Sequence, residues 1–80
     1  MPVVFRHKGF RFFFYSNEGW PREPLHIHVR SADGEAKLWL DPAVAVAMSY
    51  GYDAAVLREL ADVAEAHREL IERSWHEYFA

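Results

Sequence analysis

The sequence predicts an α+β fold: an antiparallel sheet of four or five strands with one long C-terminal amphipathic helix packed on one face. Three observations predict it. Residues 3–40 carry short runs of β-branched and aromatic residues that alternate in polarity and are separated by turn residues. Residues 54–79 carry an apolar stripe at helical spacing, preceded by Asp53 as an N-cap. The 80 residues make one small domain, read as sheet over 3–49 and helix over 54–79. A hydrophobic fraction of 51% and an aromatic fraction of 16% favour a folded chain over a disordered one.

Taken in order, Val3 to His7 reads as the first strand and Lys8-Gly9 as a turn. Phe10 to Ser16 reads as the second strand, with Phe10, Phe12 and Phe14 on one face and Arg11, Phe13 and Tyr15 on the other. Asn17 to Pro24, with its glycine and two prolines, reads as a loop. Leu25 to Arg30 is the third strand, and Ala32-Asp33-Gly34 signals a hairpin turn. Glu35 to Leu40 is the fourth strand, with Ala36, Leu38 and Leu40 on one face and Lys37, Trp39 and Asp41 on the other. Over 43–49, alternation of Val44, Val46 and Met48 with alanines favours a fifth strand. A short helix capped by Asp41-Pro42 is the alternative. The final helix presents Val56, Leu57, Leu60, Val63, Ala64, Leu70, Ile71, Ser74, Trp75 and Tyr78 on one stripe.

The stretch Glu23-Pro24-Leu25-His26-Ile27-His28-Val29-Arg30 carries the functional signal. On a strand, His26, His28 and Arg30 share one face and Leu25, Ile27 and Val29 the other. If the helix covers the apolar side, the far face collects Arg11, Phe13, Tyr15, His26, His28, Arg30, Lys37 and Trp39. Cations interleaved with aromatics suit a nucleic-acid backbone and its unstacked bases, so Arg11, Arg30 and Lys37 are candidate phosphate ligands and Tyr15 and Trp39 candidate stacking platforms. His26 and His28 are candidate catalytic residues, since two imidazoles can take and give a proton on a phosphodiester near neutral pH. A solvated face with ordinary cross-strand pairs is the bland alternative. Whether the face catalyses or only binds stays open at this level.

A divalent metal is the competing chemical reading, with no other cofactor expected. Two histidines on one strand face are about 7 Å apart along the backbone and can chelate, but a stable site needs further ligands. His67, mid-stripe on the helix, is the obvious further ligand, but strand alternation puts His26 and His28 on the face away from that helix, so either the register is reversed or Glu18, Glu23 and Asp41 are the candidates instead. His67 itself reads as a core or boundary histidine bonded to Ser74, Tyr78 or a backbone carbonyl. His76, near the helix C-terminus, reads as a surface residue. Trp75, Tyr78 and Phe79 read as anchors of the last turns, or alternatively as a partner interface. The acidic helix face, with Asp62, Glu65, Glu69 and Glu72, reads as solvated or as a dock for a basic partner.

Charge is divided along the chain. Residues 1–40 hold six Lys/Arg against four acids, so +2, whereas residues 41–80 hold three Arg against eight acids, so −5. There are no cysteines, which rules out disulfides and thiolate metal sites. No signal peptide or membrane-spanning run is read, and a cytoplasmic location without membrane contact is expected. A sheet edge and the aromatic content are compatible with a homodimer.

Several motifs in fixed order resemble a known family: Phe5-Arg6; Gly9-Phe10-Arg11-Phe12-Phe13-Phe14-Tyr15-Ser16-Asn17-Glu18; Pro24-x-His26-x-His28-Val29; Glu35-Ala36-Lys37-x-Trp39-Leu40-Asp41-Pro42; and the ending His67-Arg68-Glu69-Leu70-x-Glu72-x-x-Trp75-His76-Glu77. Together they resemble the small prokaryotic domain of unknown function 4160 over essentially the whole chain. The resemblance implies a toxin-like component of a two-gene toxin–antitoxin module, an RNA- or translation-directed activity, and a small antitoxin-like protein as partner. The sequence departs from common members in the loop Gly19-Trp20-Pro21-Arg22 and in the alanine-rich segment Ala43–Ala47.

Overall fold

The computed structural model describes residues 3–16 and 23–79. Five strands form one antiparallel sheet in sequence order: β1 (Val3–His7), β2 (Phe10–Phe13), β3 (His26–Arg30), β4 (Glu35–Trp39) and β5 (Ala45–Tyr50). Two helices follow, α1 (Ala54–Ala66) and α2 (Arg68–Phe79). The α+β class and the sheet agree with the sequence, and residues 45–50 form a strand rather than a short helix. The second strand is shorter than expected, ending at Phe13. The segment 17–22, including Glu18 and the Gly19–Arg22 insertion, lies outside the described residues.

The single long helix expected over 54–79 is two helices. Asp53 caps the first, its carboxylate accepting the Val56 amide at 2.9 Å. At His67 the backbone leaves helical geometry (φ −106°, ψ 19°). Its Nδ1–H donates to the Val63 carbonyl at 2.9 Å, and its ring stacks on Phe5 of β1 at 4.2 Å. A side chain that engages the preceding turn and is drawn onto the sheet is a sufficient cause for a kink. The predicted carbonyl partner of His67 is therefore Val63, with Ser74 and Tyr78 not involved.

Helix and sheet meet through the apolar set that alternation assigns to one face. Phe12, Phe14, Leu25, Ile27, Val29, Leu38 and Leu40 pack against Leu60, Ala64, Ile71 and Trp75 to form the core. Each of these helix residues lies four or seven positions from the next, so one stripe runs across both helices.

Two turns fix the registers that matter below. Lys8 and Gly9 both have positive φ, 48° and 81°, as a two-residue hairpin turn of the primed type requires. They align His7 with Phe10 and hence Arg6 with Arg11. The β3–β4 turn is closed by the Ser31 amide donating to the Gly34 carbonyl at 3.1 Å, which aligns Arg30 with Glu35. That turn is pressed against the end of β5: a Cβ on Gly34 would collide with the Tyr50 carbonyl oxygen, and one on Gly51 (φ 82°) with that of Asp33. Tyr52 ties the same region together, its hydroxyl donating to the Gly34 carbonyl at 2.7 Å and meeting Ser31 Oγ at 2.8 Å.

Candidate nucleic-acid interface on the sheet

Residues aligned across antiparallel strands share a face, so the registers sort the sheet into cross-strand rows. One row reads Arg6, Arg11, Arg30, Glu35, Tyr50 from β1 to β5. The next reads Val3, Phe13, His28, Lys37, Met48, and a third begins at His26 and continues through Trp39 to Ala45. The first two lie on the side away from the core stripe; the third has the same strand parity, but its His26 end meets Trp75 of α2. Three arginines thus stand side by side on neighbouring strands, each about 4.8 Å from the next in the pairing direction. Like charges directly opposite one another destabilise a sheet, by about 0.2–1 kcal/mol per pair. The carboxylate of this row, Glu35, stands next to Arg30: its Oε1 sits 3.6 Å from Arg30 Nε, on the opposite side of Arg30 from Arg11.

The histidines behave differently from the sequence expectation of an exposed polar row. His26 is 0% exposed and His28 6%. His28 is boxed by the rings of Phe13 at 5.7 Å, Tyr15 at 4.5 Å and His26 at 5.2 Å. His26 donates from Nδ1 to the Pro24 carbonyl at 3.0 Å, since that oxygen can only accept. Its ring meets Trp39 at 5.6 Å and Trp75 of α2 at 5.0 Å. Strand parity alone separated His26 from the helix. The structure corrects this, because His26 begins β3 at the sheet margin, where the last turns of α2 reach the same edge.

Glu35, 9% exposed, is the buried acid of this face. It accepts the Tyr15 hydroxyl at 2.8 Å on Oε2, and the same oxygen lies 3.9 Å from His28 Nδ1. That hydrogen bond, with burial and the nearby negative charge, holds the Tyr15 phenol above its usual pKa. Tyr15 is thereby committed to Glu35 through its polar end. Lys37 is similarly committed: Nζ lies 2.9 Å from Glu23 Oε1 and 4.3 Å from the centre of the Trp39 ring.

Of the candidate nucleic-acid ligands, then, Arg11 and Arg30 stand together in the row, while Lys37, Tyr15 and Trp39 belong to neighbouring clusters. Two members were missed by sequence reasoning. Arg6 follows from the Lys8-Gly9 hairpin, which mirrors it onto Arg11. Glu35 follows from parity, because it is two residues before Lys37 on the same strand face.

Other candidates find different places. Trp75 is buried in the core, against Phe14, His26 and Phe79, so it is an anchor and not an exposed partner surface; Tyr78 stays exposed beside Phe14 and Phe79. Glu23 serves Lys37, and the Asp41 carboxylate faces Arg68 at 3.6 Å. Among the described residues no group of three His, Asp or Glu is disposed to hold a metal ion. None of the described helices is long and apolar enough to cross a membrane.

The family whose profile matches residues 9–76 is described as a domain of unknown function, DUF4160. The chain belongs to the DUF4160 family. The matched span contains β2 to β5, α1 and most of α2, hence Arg11, Arg30, Glu35 and both buried histidines; Arg6 on β1 lies before it. No curated protein and no solved structure matches the chain.

Proposed function

We propose that this DUF4160 protein binds single-stranded RNA on the sheet face away from the helices, through the backbone phosphates and the row Arg6, Arg11 and Arg30. The observation that carries the reading is the alignment of three arginines on adjacent strands in one register. Such a row is unfavourable in the free protein and favourable once a polyanion lies across it. The chain as a whole has a net charge of −3, so the attraction is local to this face and not a property of overall charge. Tyr50 ends the same row and is exposed, which suits it to stack on a base where Tyr15 and Trp39 are engaged elsewhere.

His26 and His28 are assigned to holding this face in shape. Their burial among aromatic rings gives a substrate phosphate no direct approach to His26 in this arrangement. A toxin-like role in a two-gene module, which the resemblance implies, is the biological setting we propose for such a surface, with an antitoxin-like protein competing for it.

The test is fluorescence anisotropy of a labelled single-stranded RNA at several salt concentrations. Three phosphate contacts give a log–log salt slope of about −2, and removing one arginine lowers its magnitude by about 0.7. Arg11→Ala and Arg30→Ala weaken binding and flatten the slope, whereas Arg73→Ala, on the exposed helix surface, does neither. Absence of binding at low salt, or equal loss from all three variants, would refute the proposal.

A further inference from the structure

A second surface is carried by the last strand. In the order β1-β2-β3-β4-β5, β5 is terminal, paired to β4 on one side. All six of its residues, Ala45-Val46-Ala47-Met48-Ser49-Tyr50, are exposed. Val46 is 42%, Met48 45% and Tyr50 57% exposed, so apolar surface is presented on both faces of the strand. Val46 is aligned with Leu38 on the helix side, while Met48 and Tyr50 are aligned with Lys37 and Glu35 on the arginine side. Edge strands are ordinarily guarded by charged side chains, proline or bulges. β5 has a bulge opposite Lys37 and Leu38, but no Lys, Arg, Asp, Glu or Pro between Ala45 and Tyr50. The other edge differs: β1 carries Arg6 and His7 and runs into Lys8.

We propose that β5 is the interface for a second copy of this chain, the two β5 strands pairing antiparallel about a two-fold axis normal to the sheet. The occupant is set by charge and by hydrogen-bonding geometry. A bare strand edge offers backbone N–H and C=O groups that another strand satisfies. A neutral strand can meet itself without bringing like charges together, whereas β1 against β1 would oppose cations. The symmetry has a consequence for the whole face. Rotation about the sheet normal keeps the same side up, so the pair forms a ten-stranded sheet with all helices on one side and both arginine rows on the other. Counting strands, Arg30 of one copy and Arg30 of the other lie five strand spacings apart in the pairing direction, about 24 Å. The inference does not depend on RNA binding.

Sedimentation velocity over a rising protein concentration, without RNA, reads the association, and amide hydrogen exchange of the wild-type chain locates it. The expected result is a reversible monomer–dimer equilibrium, with β5 amides more protected as the dimer fills. Met48→Glu places a carboxylate beside Lys37 in the monomer but two carboxylates near the two-fold axis in the dimer. It shifts the equilibrium toward monomer by about tenfold. A wild-type chain monomeric at millimolar concentration overturns the proposal. So does a dimer whose β5 amides exchange equally fast at low and high concentration, which needs no variant to fold. A Met48→Glu dimer as tight as wild type overturns it as well.

Discussion

Each arginine of the row gains its meaning from its neighbours. Arg11 lies between Arg6 and Arg30 across the strands, and Glu35 sits beyond Arg30 on β4. At the same scale, Tyr15 and Glu35 form a hydrogen bond between a phenol and a buried carboxylate. Its loss in Tyr15→Phe is expected to lower stability by about 1.5–3 kcal/mol, the range for bonds to charged groups, as read by urea unfolding. The sign with pH follows from the raised Tyr15 pKa. The folded value lies above the ordinary 10.0, so the contribution is complete below about pH 10 and is lost as pH rises through the folded value. The alkaline loss of stability should therefore be smaller in Tyr15→Phe than in wild type. What the sequence made legible here was parity: His26 is aligned with Trp39 and His28 with Lys37 across the strands, and Arg30 follows in the same alternation. What it concealed was burial, because two-residue alternation says which way a side chain points and not what lies over it.

At the scale of elements, turn chemistry accounts for most of what could be foreseen. Lys8-Gly9, Ala32-Asp33-Gly34 and the Asp53 cap sit where the chain turns or begins its helix. The kink at His67 was not legible, since no glycine or proline marks it. It arises from a ring that bonds back to Val63 and stacks on Phe5, a contact distant in sequence. The packing of the β3–β4 turn on the end of β5 was hidden for the same reason. Gly34→Ala is expected to destabilise by about 1–3 kcal/mol, because the methyl group must displace backbone and not a pliable side chain. Thermal unfolding measures the loss relative to the wild-type chain. A Gly34→Ala protein as stable as wild type would show that β5 does not press on the turn.

For the whole molecule, the division of charge along the sequence becomes a division between layers. The acidic residues Asp62, Glu65 and Glu69 are exposed on the helices, while the arginine row lies on the opposite side of the sheet. The helix layer closes the apolar face and leaves the arginine row on the opposite side, the face proposed to take RNA and to be extended through β5 of a second copy. In that proposed role function and stability oppose one another along one row. The most direct test is therefore thermal unfolding of wild type and Arg11→Gln, each with and without single-stranded RNA. Without RNA, the variant should melt higher by about 1–8 °C, since a like-charge neighbour has been removed. With RNA, wild type should gain more than the variant. If Arg11→Gln is less stable than wild type and RNA raises both equally, the row is structural and the account is wrong.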